Sequence, residues 1–109
     1  MGNDGPGSDL GRFAEPALLI LVSLADGPKH GYAIMIDVNS FGASPIGPGT
    51  LYAALARLER RGLIEPLGPD DRRRPYRLTG AGSSALADHL GEMGRLVQVG
   101  HARLRAADG

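Results

Sequence analysis

Leucines recur at positions 51, 55 and 58, and the residues between them are of another kind: Thr50, Tyr52, Ala53, Arg57, Arg60 and Arg61. The i, i+4, i+7 spacing puts the three leucines on one face of a helix. Pro48 opens that helix at its first turn and Gly62 closes it. The opposite face offers hydroxyls, methyls and guanidinium groups but little apolar area. Upstream, Ala17-Leu18-Leu19-Ile20-Leu21-Val22-Ser23-Leu24 follows Pro16 and predicts a helix apolar nearly all round. In so small a chain such a helix needs a partner surface as well as the core. Asp26-Gly27-Pro28 ends it, with Gly27 expected at C′. A second short helix is predicted from His30 or Gly31 to Val38, with Tyr32, Ile34, Met35 and Val38 facing inward. The Gly-, Ser- and Pro-rich stretch from Asn39 to Gly47 is a loop.

Past the third helix the period shortens. Ile64–Leu67 and Pro75–Leu78 read as two short strands around the turn residues Gly68-Pro69-Asp70-Asp71. Both carry a proline, which places them at edges or strand ends. Such a hairpin is marginal alone, so Tyr76 and Leu78 are expected to face the helices. Thr79 is a suitable N-cap for a last helix running to about Ala106. That helix carries Leu86, Leu90, Met93, Val97, Gly100 and Leu104 at alternating steps of four and three, a heptad seam. At 1.5 Å per residue it would span roughly 40 Å, more than the body of so small a domain. It must project, and its seam then requires another chain. A twofold dimer is the symmetric solution, with Leu18, Leu21, Val22, Leu86, Leu90, Met93, Val97 and Leu104 as candidate interface residues.

The expected architecture is mainly α with a small β-hairpin: a winged helix-turn-helix plus a long C-terminal dimerisation helix. Residues 1–13, polar and glycine-rich, form a disordered tail. Residues 14–79 form the winged domain and residues 80–106 the dimerisation helix.

Charge changes the picture only locally. The 109-residue chain is formally neutral, which weighs against a strongly basic nucleic-acid binder. Yet between Arg57 and Arg77 seven arginines face only Glu59, Glu65, Asp70 and Asp71. Steering depends on the local patch rather than the sum. The absence of cysteine excludes a disulfide framework, a thiolate zinc site and a cysteine nucleophile. The apolar run 17–25 is too short for a bilayer, and the acidic segment before it does not suit a signal peptide, so a cytoplasmic location is expected.

No catalytic residue or cofactor is expected. Gly42 to Gly47 begins like a phosphate loop, but Pro48 stands where lysine is required. His89 and His101 are twelve residues apart, the wrong spacing for a shared metal. A helix with a basic, small-residue outer face, followed by Arg72-Arg73-Arg74 in a hairpin, instead has the parts a winged helix-turn-helix uses to hold double-stranded DNA.

Three segments resemble the PadR-like transcriptional regulators, in the short form with one C-terminal helix. They are His30-Gly31-Tyr32-Ala33-Ile34, the run from Gly49 to Ile64, and Arg73-Arg74-Pro75-Tyr76-Arg77-Leu78-Thr79-Gly80-Ala81-Gly82. The resemblance covers roughly residues 15–105. It implies a homodimeric repressor on a pseudo-palindromic operator, released by a small-molecule effector at the dimer interface. The third helix would be the recognition helix and the hairpin the wing. The candidate DNA-facing set is Lys29, His30, Tyr32, Pro48, Gly49, Thr50, Tyr52, Arg57, Arg72, Arg73, Arg74 and Tyr76. Plainer roles stand beside these. Thr50 would cap the helix, Tyr52 would pack on the wing, Lys29 would be a solvated turn residue, and Asp70 and Asp71 would neutralise the arginines. Ligand-independent DNA binding and a winged-helix module for protein interaction are the two alternative functions.

Overall fold

The computed structural model describes residues 15–42, 44–69 and 74–108. The expected tail, and Arg72 and Arg73, expected in the hairpin, lie outside the described residues. Four helices and two strands follow in order: α1 (Pro16–Leu24), α2 (Gly31–Phe41), α3 (Pro48–Arg60), β1 (Ile64–Pro66), β2 (Tyr76–Leu78) and α4 (Gly80–Asp108).

The core is the meeting place of α1, α2, α3, the start of α4 and the root of the hairpin. Ile20, Leu24, Ile34, Val38, Leu51, Leu55, Leu58, Ile64 and Leu86 are all buried. The leucines of α3 lie inward, as the periodicity requires, and Ala54 joins them. Tyr76 and Leu78 pack half-buried against the same cluster. The hairpin therefore gains the support that two strands alone lack. The strands are antiparallel, with Ile64 opposite Leu78 and Pro66 opposite Tyr76. They are shorter than their apolar pattern suggested, although Leu67 N–H still donates to the Pro75 carbonyl at 2.8 Å.

The end of α3 is a Schellman closure. Gly62, at φ +73°, donates to Glu59 O at 3.0 Å and Leu63 N–H donates to Leu58 O at 3.0 Å. Thr79 then begins α4 as expected, its Oγ1 accepting from Gly82 N–H at 3.0 Å. The same hydroxyl donates to Gly62 O at 2.6 Å. A Cβ on Gly82 would stand 1.9 Å from Leu63 O, so only glycine lets α4 cross the end of α3 this closely.

Four expectations need correction. Tyr32 does not point inward: it is 67% exposed, and the buried position at the start of α2 is Gly31. Gly27 is not C′; α1 closes at Ala25, and Gly27 lies two residues further on at φ +140°. The last helix runs to Asp108, past Ala106. Leu21 and Leu86, assigned to the seam, lie in the subunit's own core. Of the remaining interface candidates, Leu18 and Val22 are half-buried, while Leu90, Met93, Val97 and Leu104 are exposed.

Candidate nucleic-acid interface

The outer surface of α3 presents Pro48, Gly49, Thr50, Tyr52, Ala53, Ala56, Arg57 and Arg60, all exposed. Its amphipathicity causes this: once Leu51, Ala54, Leu55 and Leu58 are buried, the remaining positions must face out. The first turn is left open. Its N-cap is Gly47, with no side-chain hydrogen bond to the free N–H groups. Thr50 therefore is not the cap, and the helix begins with donors and a positive dipole end available to an anion. No acidic residue lies in that turn. Farther along, Arg57 and Arg60 have no ion-pair partner among the described residues.

Tyr52 is half-exposed, with its ring laid over the start of α2 at Gly31. A Cβ on Gly31 would meet Tyr52 Oη at 2.7 Å. The tyrosine thus couples the two helices while its other edge faces solvent.

Lys29 proves to be a structural residue. Its ammonium donates to the Ser23 carbonyl and, at 2.5 Å, to Asp26 Oδ1. Its side chain is only 21% exposed. The Asp26 carboxyl is held below its ordinary value by that hydrogen bond and by the lysine's charge. The backbone of Lys29 is engaged as well: it pairs with Tyr76 as a β-bridge, with bonds of 3.1 and 2.9 Å. The wing thereby acquires a third partner, and Tyr76 is fixed at its root with its ring against the core. Next to Lys29, His30 is exposed at the N-cap of α2. Arg77 pairs across the hairpin with Glu65 at 2.6 Å. Arg74 lies half-buried at the wing's edge.

One residue of this region escaped the sequence reading. Asn39 grips the loop ahead of α3 at both ends of one residue: Oδ1 accepts from Ile46 N–H at 2.9 Å and Nδ2 donates to Ile46 O at 3.1 Å. The signal was an asparagine at the edge of a Gly-, Ser- and Pro-rich loop, where its amide finds backbone partners.

Two helices joined by a short turn, an outward basic recognition helix and a β-wing define a winged helix-turn-helix, the class of DNA-binding transcriptional regulators. The chain belongs to the transcriptional regulator PadR-like family, whose model matches residues 20–88. A PadR family transcription regulator from Clostridium difficile is 26% identical and superimposes with a TM-score of 0.72, covering 82% of this chain and 97% of that one. A transcriptional regulator from Clostridium thermocellum is 32% identical, with a TM-score of 0.69 and coverage of 87% and 94%. A 37.1 kDa protein in transposon TN4556 of Streptomyces fradiae is 45% identical over 85 residues, which is 78% of this chain. Those residues make up 25% of that relative, so this chain corresponds to about a quarter of it.

Proposed function

We propose that the protein is a homodimeric repressor that binds a pseudo-palindromic operator through the outer face of α3 and the arginines of the wing. The observation that carries this reading is the exposed face from Pro48 to Arg60. It combines an open helix N-terminus, small side chains that let the helix approach a groove, and two guanidinium groups. Thr50 and Tyr52 would contact phosphate or base edges at the first turn, and Arg57 a guanine edge or the backbone. Arg72, Arg73 and Arg74 would hold flanking phosphates or the minor groove. Lys29 contributes by fixing the wing root rather than by reaching DNA. A dimer is supported by α4, where Leu90, Met93, Leu96, Val97, Val99 and Leu104 are all exposed. Two such helices brought together along Leu90, Met93, Val97 and Leu104 would bury that seam and set the distance between recognition helices. DNA binding itself requires no effector in this reading.

The test is selection of bound duplexes from a random pool, followed by salt titration on the selected sequence. Affinity should fall steeply as salt rises. Replacing Arg72, Arg73 and Arg74 together with Ala should weaken binding to every duplex and reduce the salt slope by about one unit per lost phosphate contact. Affinity indifferent to salt, or no binding at low ionic strength, would overturn the reading in favour of a protein-interaction module.

A further inference from the structure

We propose that Asn39 is a specificity-determining positioning residue: its double hydrogen bond to Ile46 presets the turn that delivers the first turn of α3 to DNA. The inference rests on the DNA-binding role proposed for α3 and adds to it a residue that touches no DNA.

The loop between α2 and α3 contains Gly42, Ser44, Pro45 and Gly47; Pro45 fixes its own φ, while the glycines leave the course of the chain on either side open. Ile46 is half-buried against the core, which anchors its side chain but leaves its peptide groups to be oriented. Asn39 orients both. The N–H and the C=O of Ile46 are held by one planar amide, at 2.9 and 3.1 Å, so the backbone at this residue is fixed in direction as well as in place. The next residue is Gly47, the N-cap of α3, whose carbonyl accepts from Leu51 N–H at 3.0 Å. Pro48, Gly49 and Thr50 follow directly, and all three are exposed. A chain of three consecutive constraints therefore runs from Asn39 to the groove-facing turn.

Tyr52 on Gly31 ties α3 to the start of α2, and Asn39 ties the entry of α3 to its end. With both ties the recognition helix has one angle to α2. Without Asn39, water can satisfy the exposed Ile46 peptide groups, so the fold persists while the entry turn samples more conformations. Ordering that turn then falls due at binding, and it is required only where bases must be matched. Non-specific attachment through phosphates tolerates the looser geometry.

The experiment compares wild type, Asn39→Ala and Asn39→Asp on two duplexes of equal length: one selected by the wild-type protein, and a scrambled one. Asn39→Asp retains the acceptor for Ile46 N–H but loses the donor to Ile46 O. Asn39→Ala should lose about tenfold in affinity for the selected duplex, on the scale of ordering one backbone residue. Its affinity for the scrambled duplex and its salt slope should stay at wild-type values. Asn39→Asp should lose affinity for the selected duplex too, and hydrogen exchange at the Ile46 amide should accelerate in Asn39→Ala. A merely structural role would lower the melting temperature and leave the selected-to-scrambled ratio unchanged, which would overturn the proposal. If the wild-type protein selects no duplex, the DNA-binding reading itself fails; an unaltered ratio in the variants removes only Asn39.

Discussion

The core side chains from Ile20 to Leu86 cover one another, with Tyr32, Ile36, Phe41 and Tyr52 left outside, whereas past Leu86 every described residue of α4 is exposed. The first region is a core built from α1, α2, α3, the start of α4 and the hairpin. The second is a helix with Leu96 at 73% exposure and Leu104 at 67%. Both carry helical periodicity and aliphatic side chains. They differ in where the covering surface comes from. In the winged domain it comes from sequence neighbours folding back; along α4 nothing within the described chain returns to meet it. The two regions should therefore respond to different perturbations.

Leu55→Ala strikes the closed core and should cost about 2–5 kcal/mol in denaturant unfolding, whatever the protein concentration. A loss below 1 kcal/mol would mean that the core is looser than its burial indicates. Leu90→Asp strikes the open helix. It should convert dimers to monomers in sedimentation while leaving the helical content of residues 16–86 intact, and dimers that survive it would locate the interface elsewhere. The smallest effect separates the core from its polar fastening. Asp26 titrates below its ordinary 3.8 because of Lys29. A carboxyl depressed in the folded state stabilises above its unfolded value and loses that contribution as pH falls through the folded one. Asp26→Asn should therefore lower the melting temperature slightly at neutral pH and flatten its decline below about pH 3.8, so that the two proteins converge in acid. An acid limb identical to wild type would show that the pair contributes nothing.

The same contrast explains what could be read from the chain. Leu51, Leu55 and Leu58 declared the inner face of α3, and Thr79 declared the start of α4, because these signals are local. Leu21 and Leu86 misled because burial against one's own core and burial against another copy produce the same spacing. A heptad count passes through Leu86 without registering that its partner changes there. Tyr32 misled for a related reason: periodicity around Ile34 and Val38 gives a face but not its edge, and the edge at Gly31 is set by Tyr52, twenty-one residues away. Lys29 looked like a free cation because its partners are a main-chain carbonyl and a carboxylate brought near by a turn. The double grip of Asn39 on Ile46 depends likewise on a loop conformation that composition does not specify.

Gly82 lets α4 rest directly on the Leu63 carbonyl, with Thr79 pinned to Gly62 beside it. The elbow stands just beyond the end of α3, and Leu86, one turn further along, is still held in the core. The arm past Leu86, from Ala87 to Asp108, measures about 33 Å at 1.5 Å per residue. A tilt of about 5° at the base of that arm would swing its far tip by roughly 3 Å, while the start of α4 stays seated at Gly82 and Leu86. A surface that gripped that tip would hold α4 where a small change of angle covers the greatest distance.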